Sequence, residues 1–182
     1  MILENACEYK DYLGFVFDEM GISGSFEVFD NAIRLNIISE TETLTKEQVL
    51  EKLEEITLKE KKQNLENQIN TICKEKINKG FTSSVLGSAH AYDLTLEDQA
   101  NLQALVIAGI DSVFRCAEVN DNGVLWNKTY KNHTKAQLSE LSKQALKFKQ
   151  KVIVFYGREK ERLQAINSLE ALSKFVIKEY LA

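Results

Sequence analysis

The spacing of apolar residues changes several times along this chain of 182 residues. Residues 5–20 mix aromatic and acidic positions in a way that fits a short helix or a strand, and we expect the helix. From Ser25 to Ser39, apolar and polar residues alternate on both sides of Asp30 and Asn31, which predicts a β-hairpin with one buried face. Two strands alone are marginal in water, so that face must pack on a helix or on another subunit.

A long helix is predicted after the hairpin. Thr45 and Gln48 have the spacing of a capping box, in which each residue satisfies a free backbone amide at the start of a helix. The apolar residues that follow recur at helical spacing, and they are Val49, Leu53, Ile56, Leu58, Leu65, Ile69 and Ile72. Helical character is expected to continue to about Lys79, where Gly80 can adopt the left-handed conformation that ends a helix.

The central part of the chain combines turn residues with short apolar runs. Residues 81–86 and 90–94 lie on either side of a Gly-Ser pair and predict a second hairpin or two paired extended segments. Thr95 with Asp98 then starts a short helix that ends near Gly109. This part is therefore predicted to begin with a hairpin and a helix.

A further hairpin is predicted to complete this central knob. Residues 112–119 form the first strand, and residues 124–126 form the returning strand. The turn between them contains Asn122 and Gly123, a pair that readily adopts positive φ angles. The predicted order within the knob is hairpin, helix, hairpin.

The last segment has the pattern of a second long helix. Thr134 with Gln137 forms a third capping box, and the chain contains no proline that would stop a helix. Apolar residues then repeat every three and four positions in turn, which is the a/d seam of a coiled coil. The first run of the seam consists of Leu138, Leu141, Ala145, Phe148, Val152 and Phe155. Charged residues then interrupt it, and the second run consists of Ile166, Leu169, Val176 and Tyr180. The seam fits packing on the first long helix and also self-association, and we expect a homo-oligomer through this helix.

Together these elements predict an α+β fold that is predominantly helical. Two long helices flank a small knob made of hairpins and one short helix, and an N-terminal helix and β-hairpin come first. Residues 1–57 form the N-terminal module with the start of the first long helix. Residues 58–133 form the central knob with its leading helix, and residues 134–182 form the C-terminal long helix with its heptad seam.

Composition excludes several classes of function. The net charge of −4 comes from 27 acidic and 23 basic residues mixed along the chain, so nucleic acid is not an expected partner. No stretch reaches the roughly 18 apolar residues of a membrane span, and the N-terminus lacks the pattern of a signal peptide. Cys7, Cys73 and Cys116 are far apart in sequence, which fits reduced core thiols in a protein made in the cytosol.

No residue pattern indicates a catalytic, cofactor or metal site, and we expect no enzyme activity. His90 and His133 are the only histidines, and neither has a cysteine or carboxylate at metal-ligand spacing. Asp98 and Gln99 fit the first turn of a helix, where free amides favour a carboxylate, better than they fit catalysis. The serines near His90 lack the sharp turn motif of a hydrolase nucleophile, and no glycine-rich nucleotide loop occurs.

Three aromatic residues next to predicted turns are the remaining candidates. Phe81, Tyr92 and Trp126 are each large enough to close a small core. The same residue types also anchor a protein partner by filling a pocket on its surface. For all three we favour a place in the core.

Three stretches carry a resemblance to a known family. They are CKEKINKGF at Cys73–Phe81, LGSAHAYDLTLEDQANL at Leu86–Leu102, and Trp126 with HTKAQLSEL from His133. They resemble a domain of unknown function that recurs in tailed-phage and prophage genomes. In that family a helix ends in Gly-Phe, an aromatic residue precedes a Thr-x-x-Asp-Gln helix start, and a tryptophan precedes a threonine-capped helix. The corresponding residues here are Gly80, Phe81, Tyr92, Asp98, Gln99, Trp126 and Thr134.

The resemblance covers roughly Leu58 to Ile166 and implies a phage tail protein. Such a protein would be a structural or adaptor component of the tail fibre or baseplate, with other tail proteins as partners and no catalytic residues or cofactor. A tail-fibre assembly chaperone, absent from the finished particle, is the alternative, and a small ligand-binding or enzymatic domain is a third. The implied location is the cytoplasm of the bacterial host during assembly, and the virion tail if the protein is structural.

Overall fold

The structure is a computed structural model that describes residues 1–38, 45–120, 122–123, 125 and 127–181. Contacts divide the chain into two compact units. Unit 1 consists of residues 1–66 and 162–176, and unit 2 consists of residues 67–161 and 177–182. The fold is α+β with two long helices and small sheets, which confirms the fold class that the sequence predicts.

The described residues form five α-helices and seven strands. The helices are α1 Leu13–Glu19, α2 Lys46–Lys79, α3 Leu96–Ala108, α4 Lys135–Gln164 and α5 Leu169–Ser173. The strands are β1 Ile2–Glu4, β2 Ser23–Phe29, β3 Ala32–Ile38, β4 Phe81–Ser83, β5 His90–Tyr92, β6 Ser112–Glu118 and β7 Thr129–His133. A 3-10 helix at Cys7–Tyr12 precedes α1, so the predicted helical character of residues 5–20 is confirmed.

Unit 1 is built on the predicted hairpin. Strands β2 and β3 pair antiparallel on either side of Asp30, whose φ of 48° fits a tight turn. Ile33 and Leu35 of β3 alternate into the core, as period two requires. Sequence reasoning missed β1, which pairs with β3 and makes it the central strand of a sheet ordered β1-β3-β2. With three residues, β1 is too short to show a period.

The inner face of this sheet packs on helices of the same unit. Its core consists of Leu3, Ala6, Tyr9, Leu13, Val16, Ile33, Leu35, Val49, Leu53 and Ile56. Ala6 directly precedes the 3-10 helix, and the other residues come from β1, the 3-10 helix, α1, β3 and the first turns of α2. The sequence left open whether a helix or another subunit covers the hairpin. In the structure, helices of the same unit cover its central strand.

Helix α2 begins and ends where the sequence predicts. The backbone amide of Thr45 donates to Oε1 of Gln48 at 2.9 Å, and the amide of Gln48 donates to Oγ1 of Thr45 at 3.2 Å. Gly80 follows the last helical residue with φ of 75°. A Cβ atom on Gly80 would lie 1.7 Å from the carbonyl oxygen of Tyr92. Glycine is therefore required both for the backbone angle and for the close approach of β5.

Unit 2 contains one four-stranded antiparallel sheet in the order β4-β5-β6-β7. The expected pairing of residues 112–119 with residues 124–126 is not the main one, because β7 at Thr129–His133 pairs along β6. Leu125 makes only an isolated bridge with Val119. Val124 and Trp126 lie outside the described residues. Strand β7 escaped prediction because its sequence, TYKNH, is polar and shows no apolar alternation.

Helix α3 connects β5 to β6 and has both predicted ends. The hydroxyl of Thr95 accepts from the amide of Asp98 at 3.2 Å, and the Asp98 carboxylate accepts from the amide of Thr95 at 3.2 Å. Gly109 follows the helix in the left-handed conformation with φ of 63°. The capping role expected for Asp98 is therefore observed.

Helix α4 carries the first run of the predicted seam into the core of unit 2. The backbone amide of Thr134 donates to the side-chain oxygen of Gln137 at 2.8 Å. The backbone amide of Gln137 donates to the Thr134 hydroxyl at 3.2 Å, as a capping box requires. The buried seam residues are Leu138, Leu141, Ala145, Phe148 and Val152. Because the chain itself covers these side chains, they are not available to drive an oligomer.

The predicted continuation of this helix to residue 182 is wrong. Helix α4 ends at Gln164, and of the second seam run only Leu169 lies in a helix, the short α5. The hydroxyl of Ser168 accepts from the amide of Ala171 at 3.2 Å and starts α5 as a new N-cap. A serine side chain that bonds the backbone in this way competes with continued helix.

No described helix is long and apolar enough to cross a membrane.

We predict that Gly80→Ala lowers the free energy of unfolding by more than about 2 kcal/mol, because the new Cβ overlaps the backbone of β5. Gly109→Ala is the matched control. Gly109 also has a positive φ, but a Cβ there meets no described atom within 4 Å. That variant should lose only about 1 kcal/mol. Urea denaturation measures both losses, and equal values would show that the close approach to Tyr92 has no cost.

We also predict that Thr57→Val raises the free energy of unfolding by about 1 kcal/mol. Thr57 is fully buried in α2, and its hydroxyl has no hydrogen-bond partner within the described part of the chain. A buried hydroxyl without a partner is destabilising, and valine keeps the shape without it. Thr71→Val on the same helix is the control, because the Thr71 hydroxyl is exposed and donates to the Asn67 carbonyl at 3.0 Å. Lower stability of Thr57→Val in thermal unfolding would contradict this reasoning.

Candidate functional site

The inner face of the four-stranded sheet brings together two residues that the sequence singled out. Tyr92 of β5 and His133 of β7 are buried, and the Tyr92 hydroxyl lies 2.9 Å from Nε2 of His133. Nδ1 of His133 lies 2.8 Å from the carbonyl oxygen of Lys131. Because a carbonyl only accepts, Nδ1 carries the hydrogen, and the Tyr92 hydroxyl donates to Nε2. Sequence analysis considered His133 only as a possible metal ligand and missed this pair.

Aromatic rings enclose the Tyr92 side chain. The ring of Phe81 lies 6.1 Å from that of Tyr92, and the ring of Phe114 lies 6.3 Å from it on β6. Phe81 also stacks on Phe148 of α4 at 5.7 Å. Tyr92 therefore belongs to the core, as favoured from the sequence, and the half-buried Phe81 packs against it. Trp126, the third candidate, is outside the residues that the structure describes.

Burial controls the protonation of this cluster. Desolvation raises the pKa of the Tyr92 hydroxyl and the pKa of the neighbouring Cys116 thiol. Burial lowers the pKa of His133, and the bond to the Lys131 carbonyl opposes this in part. A nucleophilic thiol or hydroxyl is activated by a lowered pKa or an adjacent base, and here the thiol has a raised pKa. The cluster has the properties of a structural hydrogen-bond network.

Ser83 and His90 face each other across β4 and β5 but bond to other groups. The Ser83 hydroxyl donates to Oε1 of Gln144 on α4 at 2.7 Å. Nδ1 of His90 bonds a backbone carbonyl two residues earlier at 2.9 Å. Glu118 lies 3.9 Å from Nε2 of His90 and forms its shorter ion pair with Lys131 at 2.9 Å. The sheet thus brings a serine and a histidine close without arranging them as nucleophile and base.

Gln99 connects α3 to its surroundings. Its side-chain nitrogen donates to the carbonyl of Leu94 at 2.7 Å, and its side-chain oxygen accepts from Nζ of Lys149 on α4 at 2.7 Å. Together with the cap at Asp98, these bonds give the Asp-Gln pair of the resemblance motif a structural role in this chain.

An open groove of about 450 Å³ lies beside α3, β6 and β7. Asp98, Arg115 and Tyr130 are among the side chains that line it. The Asp98 carboxylate is engaged in the helix cap, and Arg115 bonds Asp93 at 3.1 Å. These charged groups therefore bond to the fold itself. Across the described ranges, no group of three or more histidine, cysteine or acidic side chains is placed to hold a metal.

Strand β2 forms an exposed edge in unit 1. All seven of its residues are exposed, and it contains no lysine or proline and one charged residue, Glu27. Phe26 and Val28 lie on the inner face, opposite Leu35 and Ile33, yet remain 39% and 45% exposed. Sheet edges that avoid pairing usually carry lysine, proline or a bulge. Strand β2 contains neither lysine nor proline. This edge is the candidate interaction site of unit 1.

Comparisons with protein-family models, with curated proteins and with solved structures find no match to this chain. The fold defines an α+β protein of two compact units, and its function has to be argued from the surfaces of those units.

We predict that the free energy of unfolding falls as the pH is lowered below about 6.5, the usual pKa of a histidine side chain. Because burial lowers the pKa of His133, the unfolded chain binds this proton at a higher pH than the folded chain. Between the two pKa values the unfolded state therefore binds more protons and is favoured by acid, whereas above both values the effect is absent. His133→Gln should flatten this part of the profile in urea titrations at several pH values. An unchanged slope in that variant would assign the pH dependence to other groups.

Proposed function

We propose that this chain is a non-enzymatic adaptor or structural protein that acts by binding other protein chains. The exposed edge of β2 is the observation that supports this proposal. An edge strand offers unpaired backbone amides and carbonyls to an added strand, and adjacent apolar side chains add affinity. Phe26 and Val28 have this position, because their inner-face neighbours on β3 are buried while they are not.

A second copy of β2 fits this edge. Two β2 strands that pair antiparallel about Phe26 place Gly24 opposite Val28 and Ser25 opposite Glu27 of the other copy. The inner face then carries only apolar residues and glycine, and no like charges stand opposite each other on the outer face. Such an interface is isologous, so it closes after two copies and joins two three-stranded sheets into one. An oligomer through β2 also agrees with the burial of the α4 seam within the chain.

The proposal that this adaptor belongs to a phage tail rests on the sequence resemblance, which covers Leu58 to Ile166. The comparisons with known proteins add no support, because they find no match. In that setting its partners are other tail proteins, and it is made in the cytoplasm of the bacterial host. Mass spectrometry of purified particles distinguishes the two forms of the proposal. A structural component stays in the finished tail, whereas an assembly chaperone is found only in the host cell.

We predict that charge substitutions at Ser25 shift the oligomeric state in opposite directions. In the proposed pairing, Ser25→Glu places two carboxylates opposite each other at two symmetry-related positions and should weaken dimerisation about tenfold. Ser25→Lys places an ammonium group opposite Glu27 and should strengthen dimerisation. Sedimentation equilibrium at several protein concentrations measures both effects.

The two Ser25 variants control for each other. Both replace the same exposed residue with a charged one, and both monomers should keep their free energy of unfolding within about 0.5 kcal/mol. A parent protein that stays monomeric at high concentration would reject pairing through β2. Equal dimerisation of the two variants would reject the proposed register.

A further inference from the structure

A groove along the exposed side of α4 is a second surface that the fold leaves open. It has a volume of about 470 Å³, and all of its lining residues belong to unit 2. They are Lys147, Gln150, Lys151, Val154, Phe155, Arg158 and Tyr180. Helix α4 provides six of them, and Tyr180 comes from the C-terminal segment. Phe155 and Tyr180 belong to the seam that the sequence pattern predicts, whereas the other lining residues do not.

Three cations follow one line along the groove. Lys147, Lys151 and Arg158 are separated by four and seven residues, so on an α-helix they project within about 40° of one another. All three are exposed, and none forms an ion pair with any residue in the described ranges. The lining contains no carboxylate. The groove therefore presents uncompensated positive charge on a chain whose net charge is −4.

Apolar side chains accompany these cations. Val154 lies between Lys151 and Arg158 on the same line and is 53% exposed. Leu146 and Ile153 are also exposed, on the neighbouring face of α4. A surface that combines a line of cations with apolar side chains is complementary to a helix that has one apolar face and acidic residues beside it.

The other wall of the groove is aromatic and held in place. The rings of Phe155 and Tyr180 meet edge to face, with centroids 5.5 Å apart. The backbone amide of Tyr180 donates to the hydroxyl of Tyr156 at 3.4 Å, and the amide of Lys178 donates to Glu159 at 3.1 Å. These bonds hold the C-terminal segment along α4. The groove is therefore formed before a partner binds, which lowers the entropic cost of binding.

We infer that this groove is a docking site for an acidic amphipathic helix of another protein. Carboxylates of that helix pair with Lys147, Lys151 and Arg158, and one of its large apolar side chains packs against Val154 and Phe155. Binding requires no rearrangement of the fold, because the groove is already formed. The inference depends on unit 2 alone and holds whether or not two chains pair through β2.

A protein helix fits this groove better than a membrane or a nucleic acid does. A bilayer binds a helix whose cations lie beside its apolar face, whereas Val154 lies on the same line as Lys151 and Arg158. A nucleic acid requires a wide positive surface that neutralises many phosphates. Three cations on an acidic chain are too few for that.

Fluorescence anisotropy with a labelled synthetic peptide tests the inference on the full chain. The peptide is an amphipathic helix whose glutamates repeat at the spacing of the three cations, with a leucine at the position that faces Val154. We expect saturable binding that weakens as salt is added, because exposed charge pairs are screened. In the double variant Lys147→Glu with Lys151→Glu, the affinity should fall at least about tenfold.

Lys143→Glu is the matched control, because Lys143 is exposed on the same helix and outside the groove. It should leave the affinity within about twofold of the parent value, as expected for an exposed charge outside the contact. A lysine version of the peptide should bind the double variant and not the parent, which shows that the loss is not a loss of folding. Failure of the parent to bind the acidic peptide would overturn the inference. So would an equal loss in Lys143→Glu, or binding of anionic vesicles or duplex DNA in place of the peptide.

Discussion

The burial of one tyrosine ring organises unit 2. Tyr92 lies between the rings of Phe81 and Phe114 and donates its hydroxyl to His133, so one side chain of β5 contacts residues of β4, β6 and β7. A buried hydroxyl without a partner would be destabilising, and His133 supplies that partner. The stacking of Phe81 on Phe148 then extends the same cluster to α4. The backbone of this tyrosine also comes so close to the end of α2 that a residue with a side chain does not fit there.

The polar groups of this cluster form hydrogen bonds within the fold, so the candidate interaction sites lie on the surface. Serine, histidine and cysteine side chains lie near one another on the sheet, yet the serine and histidines form their hydrogen bonds with backbone groups, a glutamine and the tyrosine. Apart from the buried Thr57 hydroxyl, two exposed surfaces within the described residues have groups that the fold does not pair. One is the apolar edge of β2, and the other is the line of cations on α4. Both have the chemistry of protein recognition, the first through backbone pairing and the second through charge and shape.

Much of the architecture was predictable because the interactions that define it are local. The capping boxes at Thr45, Thr95 and Thr134 each join residues three positions apart, so the starts of three helices follow from the sequence. The hairpin of β2 and β3 was predictable for the same reason, since alternation and a short turn lie in one continuous stretch. The α+β class follows from these elements. The end of α4 was missed because one serine cap, without proline or glycine, separates it from α5.

The sequence by itself thus determined which segments are helical or extended and where most of them begin. Only the tertiary structure decided which strands pair and which faces are covered. Strand β7 pairs with β6 despite a polar sequence, because His133 fills the place beside Tyr92, 41 residues away along the chain. The α4 seam has the same apolar period whether it packs on its own chain or on a copy, and the structure shows it buried by its own chain. Long-range contacts of this kind depend on shape and solvent exclusion, which leave no period in the sequence.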